Sequence, residues 1–205
     1  MKHVMIDLET LSLRSNAAII EIAAKEFNPN KDIEVAYNAF HIFVDAASCA
    51  MYGMDFGMNT IAWWASQKKS LKEPFDTFRN DCPIGYALDK LAEFLRNTAP
   101  DGDVTVWSQG SDFDIAVLKT AFRTVLGKEF PVMYRNVRDA RTYFLGIVDA
   151  KKPETQDPFK LVESEEERHK AQGDVNWSIK AVQYAYDLLT QSDTTDNEER
   201  EHKRR

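Results

Sequence analysis

Two carboxylates interrupt the first apolar segment of the chain, residues 2–10, whose sequence is KHVMIDLET. The apolar residues in so short a span favour a buried strand. Because strand side chains alternate between faces, Asp7 and Glu9 point the same way. Two like charges at this spacing repel each other, and burying either one without a partner is costly. The pattern indicates a divalent cation between the two acids, unless the strand ends at Ile6 and both acids lie in solvent.

Composition predicts one globular domain and excludes several classes of protein. A chain of 205 residues with 43% hydrophobic content can bury a sizeable core. A net charge of −7 argues against a protein that coats duplex nucleic acid. Cys49 and Cys82 are not spaced from each other or from histidines as metal ligands are. This indicates an intracellular protein with reduced cysteines and no structural zinc. Since no apolar run approaches the roughly 18 residues of a membrane span, we expect a cytoplasmic protein without membrane contact.

The order of elements predicts an α/β fold. Residues 17–27 suit a helix or a strand, but the turn at residues 28–30 and the β-rich run at 33–44 favour two antiparallel strands beside the first. Periodicity then predicts a helix at 84–95, a strand at 104–107, a helix at 115–125, a β-like segment at 132–137, a helix start at 138–145, a loop at 149–168 and a final helix at 174–189. This order describes a mixed central sheet flanked by helices. We expect a domain over residues 1–190 and a disordered polar tail over 191–205.

Further acids are expected beside the first pair. In folds of this kind, the ends of strands and the starts of helices meet at one edge of the sheet. That edge would bring Asp114 and Asp174, each at a predicted helix start, close to Asp7 and Glu9. Asp112 competes with Asp114 for this role, and either could simply cap its helix. Four carboxylates and a nearby base are what phosphodiester hydrolysis with two metal ions requires.

Several motifs resemble those of known exonucleases. DLET at residues 7–10, IEIAA at 20–24, FD at 113–114 and HxAxxD at 169–174 resemble the three exonuclease motifs of the DEDDh group, the superfamily of ribonuclease T and the polymerase proofreading exonucleases. IAWW at 61–64, GSxFD at 110–114 and RDxRT at 138–142 are similar to the T4-type phage exodeoxyribonuclease A. The resemblance implies a ribonuclease H-like fold in a bacterial or phage-infected cytoplasm. It also implies two Mg²⁺ or Mn²⁺ ions and release of nucleoside 5′-monophosphates from a single-stranded 3′ end.

The same resemblance implies roles for individual residues. His169 would act as the general base, and Thr10 and Leu11 would contact the terminal nucleotide. Independently of the resemblance, Trp64 and Phe113 are candidates for stacking on the end bases. Trp63 and Trp64 lie on a predicted short helix, and for either tryptophan taken singly, packing in the core is the more frequent role. The metal ligands would be Asp7, Glu9, Asp114 and Asp174.

Other functions stay open at this stage. An endonuclease or phosphatase could use the same metal chemistry, and a catalytically inactive protein with an exonuclease fold could serve as a binding module. The phage-like motifs favour DNA over RNA as substrate, with an exoribonuclease of the ribonuclease T type as the alternative. The net negative charge predicts that the protein contacts only a short stretch of nucleic acid, and that its binding affinity depends only weakly on salt concentration. A homodimer is an open option.

Overall fold

The strand that carries the acidic pair lies at the centre of a five-stranded sheet in the computed structural model. The structure describes residues 1–32, 38–67, 82–163 and 169–202, with side chains up to residue 190. The strand order is β3-β2-β1-β4-β5. The β1–β2 and β2–β3 pairs are antiparallel, whereas β1–β4 and β4–β5 are parallel. The strands are β1 (Lys2–Thr10), β2 (Ile19–Phe27), β3 (Ala39–Phe43), β4 (Val104–Ser108) and β5 (Val137–Asp139).

Six α-helices in the described residues flank this sheet. The even positions of β1, Val4 and Ile6 among them, pack in one cluster with α3 and α4. The odd position Met5 packs on the opposite face with apolar residues of α6. The helices are α1 (Ala46–Ala50), α2 (Met58–Ser66), α3 (Ile84–Thr98), α4 (Asp114–Leu126), α5 (Ala140–Lys151) and α6 (Ala171–His202). None of the helices, over the residues described, is long and apolar enough to cross a bilayer.

The mixed sheet flanked by helices confirms the fold predicted from the sequence. The meander of β1, β2 and β3 is present, although residues 33–37 of the predicted third strand lie outside the described residues. The helices predicted at 84–95 and 115–125 are present as α3 and α4. In both, apolar spacing of three and four residues matches the buried stripe, which is why periodicity alone located them.

Two predicted segments differ from the structure. The β-like segment at 132–137 is wrong: Tyr134–Asn136 forms a 3₁₀ turn, and only the short strand β5 follows it. Met133 and Tyr134 are exposed, so their apolar character does not reflect burial in a sheet. The loop predicted at 149–168 is shorter because α5 extends to Lys151 and a 3₁₀ turn forms at Pro158–Leu161. Residues 164–168 lie outside the described part of the chain.

The last helix is longer than its apolar stripe. Helix α6 begins at Ala171, close to the predicted start, and extends to His202. Val175 and Val182 pack against the sheet, and Trp177 packs against α5. Side chains beyond residue 190 are not described, so the disorder predicted for residues 191–205 stays a prediction.

Helix α2 buries Trp64 and exposes Trp63. Trp64 is 1% exposed and belongs to the main apolar cluster, whereas Trp63 is 38% exposed. The indole N–H of Trp64 donates a hydrogen bond to the carbonyl oxygen of Thr10 at 3.0 Å. This contact joins α2 to the end of β1, next to the irregularity in strand pairing between Glu9 and Thr10.

Replacing Trp64 should therefore destabilise the fold far more than replacing Trp63. We expect Trp64→Ala to lower the free energy of unfolding by about 3–5 kcal/mol, because a large buried ring is removed. Trp64→Phe should cost about 1–3 kcal/mol, because the Thr10 carbonyl loses its donor. Trp63→Ala is the matched control and should cost less than either. Urea denaturation measures all three, and equal losses for Trp63→Ala and Trp64→Ala would contradict this packing.

Candidate active site

Three carboxylates from two elements converge on one face of the sheet. Asp7 and Glu9 occupy alternate positions of β1 and therefore share a face. Asp174 lies in the first turn of α6, which packs on that face. Each of the three residues offers a carboxylate oxygen, and these oxygens all lie within 4.8 Å of one another. The sequence prediction that Asp174 joins the acidic pair therefore agrees with the geometry.

Asp114 supplies a fourth carboxylate from the start of α4. The pairing of β1 with β4 ends at Met5. Beyond that point, the backbone N–H of Leu8 donates to the carboxylate of Asp114. Asp114 is buried and close enough to raise the pKa of Asp7 by charge repulsion. Asp112 is exposed, so Asp114 is the acid of this loop that meets the pair on β1.

Burial and mutual repulsion raise the pKa values of three of these acids. The pKa of Asp7 lies well above its ordinary value, first because of burial and then because of Asp114 and Glu9. Burial, followed by the charges of Asp174 and Glu21, raises the pKa of Glu9 to about 9. Burial also raises the pKa of Asp114 to about 7, although hydrogen bonds from backbone N–H groups oppose the shift.

The donor set fits a hard divalent cation. All the converging side chains offer carboxylate oxygens, which Mg²⁺ and Mn²⁺ prefer. Within the described ranges, neither Asp7 nor Glu9 forms an ion pair with a lysine or arginine. Their crowded charge is thus left for protons or metal ions to neutralise, and four carboxylates are enough to hold two ions.

A fifth acid, Glu21, lies behind the cluster on β2. It is the cross-strand partner of Glu9 and is 2% exposed. One of its carboxylate oxygens hydrogen-bonds with Nε2 of His41 at 2.7 Å, and the other has no hydrogen-bond partner among the described residues. The sequence places Glu21 in a motif without giving it a role. A carboxylate in the middle of the otherwise apolar run of residues 17–24 was the signal that could have identified it.

His169 lies at the rim of the cluster in a constrained conformation. It is exposed, its φ angle of 65° places it in the left-handed region, and its backbone N–H donates to Oδ2 of Asp174 at 3.0 Å. Its ring meets the ring of Trp63 edge to face, with centroids 5.0 Å apart. The backbone hydrogen bond keeps His169 next to the acids, and the tryptophan limits where its ring can turn.

A pocket of about 400 Å³ opens beside Glu9. One wall is apolar and contains Leu13, Trp63 and Phe113, and His169 lies at its edge. The polar wall contains Thr10, Asn59 and Thr60. Leu13 is 80% exposed directly after the acidic strand, an unusual position for a leucine. The pocket therefore combines apolar surface with hydrogen-bonding groups next to the carboxylates.

Two of the predicted substrate-binding residues are buried in the structure. Trp64 lines the pocket but is 1% exposed and its indole N–H is already bonded, so Trp63 is the tryptophan with the more exposed ring. Leu11 is 4% exposed, its N–H donates to the carbonyl of Ala18, and its carbonyl accepts from the N–H of Gly57, so its side chain offers little surface to a nucleotide. Phe113 and Thr10 do line the pocket, although the Thr10 hydroxyl donates to the carbonyl of Ser12.

A sequence family matches almost all of this chain. The family model is described as the 3′-5′ exoribonuclease Rv2179c-like domain, and it matches residues 2–186. The chain belongs to the Rv2179c-like family. The matched range contains all four carboxylates of the cluster and His169. No curated protein sequence matches the chain.

Solved nuclease structures share the fold of this Rv2179c-like chain. Exonuclease I of E. coli, in a zinc-bound complex with single-stranded DNA, is 13% identical with a TM-score of 0.63, and the match covers 93% of this chain and 43% of that one. Exonuclease I from Methylocaldum szegediense is 12% identical with a TM-score of 0.61 and the same coverage. Cell-death related nuclease 4 is 11% identical with a TM-score of 0.65, covering 91% of this chain and 64% of that one. This chain thus spans less than two thirds of each neighbour, and the likeness is one of fold.

The stability of the metal-free protein should fall as pH rises. The pKa of Glu9 is about 9 in the folded protein against an ordinary 4.5, so the folded state binds more protons than the unfolded state between these values. Stability that is present near pH 5 is therefore lost as pH approaches 9. In EDTA, we expect a lower melting temperature at pH 9 than at pH 5.5, and a Mg²⁺-induced rise that is larger at pH 9.

The variant Glu9→Gln separates this effect from the general charge of the protein. Glutamine resembles the protonated carboxyl, so Glu9→Gln should flatten the fall in melting temperature between pH 5.5 and 9 and reduce the Mg²⁺-induced rise. Glu93→Gln, at an exposed acid on α3, is the matched control and should leave both unchanged. A melting temperature in EDTA that rises with pH for the wild type would overturn the proposed crowding of charge.

Proposed function

We propose that this chain is a metal-dependent 3′-5′ exonuclease that removes nucleoside 5′-monophosphates from single-stranded 3′ ends. The observation that carries the proposal is the position of the pocket. It opens directly beside Glu9, whose carboxylate lies with those of Asp7 and Asp174. The family description, which names a 3′-5′ exoribonuclease, supports the same direction of hydrolysis.

In this mechanism, Asp7, Glu9, Asp114 and Asp174 would hold two divalent ions. Such ions would supply an activated water molecule and stabilisation of the charge on the leaving oxygen. A ring nitrogen of His169 takes the proton from the attacking water. Trp63 restricts the orientation of the His169 ring, and Asp174 anchors the His169 backbone. The histidine therefore acts from a fixed position although it lies on the surface.

The pocket accounts for attack at an end rather than inside a strand. A volume of about 400 Å³ lies within the range of ordinary small-molecule sites, and its apolar wall suits the face of a base. With the terminal nucleoside in this pocket, the adjoining phosphate lies at the carboxylates. An endonuclease needs a groove open at both ends, and a phosphatase needs no base-binding wall, so both alternatives fit less well.

An inactive binding module also fits less well. A domain that only binds nucleic acid has no need to hold four carboxylates together against their repulsion. Here, all four are kept together by strand pairing, by the start of α4 and by the first turn of α6. Such an arrangement is costly unless metal ions neutralise it.

The sugar of the substrate is the least constrained part of the proposal. The family description favours RNA, and it comes from a model that matches almost the whole chain. The phage-like motifs favour DNA, and E. coli exonuclease I, which shares the fold, was solved with single-stranded DNA. We place RNA ahead of DNA, the reverse of the order expected from sequence motifs. Asn59 and Thr60 bring amide and hydroxyl groups to the pocket that suit a 2′-hydroxyl.

Variants at the site test the chemistry. His169→Ala should lower kcat by about 10² to 10⁴, as is typical for loss of a general base, while the Mg²⁺ dependence of activity changes little. Asp7→Asn should abolish turnover, and Asp112→Asn is the matched control that should retain it. Release of mononucleotides measured by ion-exchange chromatography gives each rate. Wild-type activity in Asp114→Asn together with loss of activity in Asp112→Asn would show that Asp112, and not Asp114, is the catalytic acid of this loop.

A panel of matched substrates tests the specificity. Single-stranded RNA, single-stranded DNA and blunt duplex DNA of one sequence, labelled at the 5′ or the 3′ end, should be degraded in that order of rate. The duplex is slow because its terminal pair must first open. Asn59→Ala should narrow the difference between RNA and DNA. Faster digestion of DNA than of RNA would restore the DNA preference, and internal fragments appearing first would reject the exonuclease itself.

A further inference from the structure

A row of exposed arginines follows the edge of the sheet beside the site. Arg135, Arg138 and Arg141 fall within seven positions around the edge strand β5, and all three are exposed. Tyr134, in the 3₁₀ turn before β5, is 79% exposed. We call these four residues the basic edge. None of them has a role in the proposed chemistry, and the sequence analysis gave them none: Tyr134 and Arg135 lie in the predicted β-like segment at 132–137, and Arg138 and Arg141 in the motif at 138–142.

The basic edge begins at the active site. Arg141 lies in the first turn of α5, and its guanidinium donates to the carbonyl of Gln109 at 3.4 Å. Its positive charge also opposes the rise in the pKa of Asp114. One end of the row is therefore next to a carboxylate of the metal-binding cluster.

The other end of the basic edge lies towards the start of β1. Arg138 pairs in register with Trp107, and its positive charge contributes to the lowered pKa of His3, after burial and the N-terminal amine. Trp107 in turn pairs with Met5, so Arg138 is level with a point two residues, about 7 Å, before Asp7, and Arg135 lies in the turn that precedes β5. The arginines thus extend away from the acids along the sheet, a direction in which a strand could leave the site.

The arginines of the basic edge lack the ion pairs that other exposed cations form in the described part of the chain. Arg135, Arg138 and Arg141 make no ion pair with any acid in the described ranges, although exposed cations elsewhere do: Lys31, Lys90, Arg123, Lys128 and Lys160 each pair with an Asp or Glu. The guanidinium of Arg138 donates to the carbonyls of Arg135 and Val137, which orient it without neutralising it.

The nearest acid on β5, Asp139, forms no ion pair with these arginines and offsets one of their three positive charges at most. The two carboxylate oxygens of Asp139 accept hydrogen bonds from the backbone N–H groups of Ser111 and Thr142. Asp139 therefore caps the start of α5 and links this helix to the loop that leads to Asp114. In a chain with a net charge of −7, three adjacent unpaired arginines mark a surface for a polyanion.

We propose that the basic edge binds the phosphodiester backbone of a single strand on the 5′ side of the scissile bond. Arg141, Arg138 and Arg135 contact successive phosphates, and Tyr134 stacks on a base beyond them. The proposal rests on the function proposed above, and it names the path that the undigested strand follows. Alternating cations and an aromatic ring are the usual means of holding single strands without reading their sequence. An acidic protein partner would match the charge but would not need a surface that starts at the catalytic acids.

The test compares short and long substrates. The double variant Arg135→Ala/Arg138→Ala should leave kcat/KM on a dinucleotide unchanged, because that substrate ends within the active site. On a twelve-nucleotide strand, kcat/KM should fall at least tenfold. Tyr134→Ala should also impair only the longer substrate, and Tyr134→Phe should restore it, since a phenyl ring still stacks. The matched control is Tyr86→Ala/Lys90→Ala on α3, where a lysine also lies over an exposed tyrosine, and it should change neither rate.

The salt dependence of binding gives a readout that does not depend on turnover. For single strands, each phosphate contact contributes about 0.7 to the slope of log K against log salt. Fluorescence anisotropy with the labelled twelve-nucleotide strand in Ca²⁺ should therefore show a slope that is shallower by about 1.4 in the double variant, from two lost contacts. If Arg138→Ala lowers the melting temperature, the double variant Tyr134→Ala/Arg135→Ala is used in its place. It removes one phosphate contact, so the slope should change by about 0.7.

The outcomes separate this inference from the proposed function. A wild type that releases mononucleotides, combined with variants whose length dependence and salt slope are unchanged, overturns the basic edge alone. Equal losses on the dinucleotide and the longer strand would also overturn it, because they would indicate damage to the active site. A wild type that releases no mononucleotide from any substrate overturns the proposed function.

Discussion

The burial and crowding of carboxylates is the constraint on which the rest of this structure depends. Burial is the main cause of the raised pKa values of Asp7, Glu9 and Asp114, and neighbouring carboxylates raise those of Asp7 and Glu9 further. Strand β1 is paired on both sides, so its two acids cannot withdraw. Asp114 is held by the N–H of Leu8 on that same strand. The free energy stored in this arrangement is available to whatever neutralises it, so divalent ions bound here would stabilise the site as well as supply its proposed chemistry.

The acids could be predicted from the sequence because their placement follows short-range rules. Alternation along a strand places Asp7 beside Glu9, and helix starts at Asp114 and Asp174 follow from apolar spacing over the next turns. No such rule fixes how a short helix is rotated about its own axis, and therefore which of its side chains face the core. One position along a helix turns a side chain by about 100°, so a single step decides whether Trp63 or Trp64 enters the core. The sequence offered Trp64 as a candidate without deciding between the two, and only the packing of α2 against β1 shows that Trp63 is the exposed ring.

Two other errors share a physical origin. Leu11 follows an irregularity in the pairing of β1 with β2, and this irregularity turns its N–H and carbonyl towards Ala18 and Gly57 instead of the pocket. Residues 132–137 have the apolar content of a strand, yet Met133 and Tyr134 are exposed. In both places, the backbone departs from regular geometry, and periodicity carries no information about a departure of one or two residues. Such departures occur beside the site, where side chains must be aimed rather than simply buried.

Net charge alone does not determine how a chain meets a polyanion. A total of −7 predicts weak, salt-insensitive binding, but charges act over a Debye length of only about 10 Å at 0.1 M salt. A phosphate at Arg138 therefore responds mainly to its immediate surroundings, where the arginines of the basic edge are unpaired and Asp139 is occupied with backbone N–H groups. Acids on the far face, such as Glu93 on α3, are screened from it. A protein can thus be acidic overall, keep the carboxylates that its metal ions require, and still hold a nucleic-acid strand along one edge, because the two kinds of charge lie on adjoining parts of the surface.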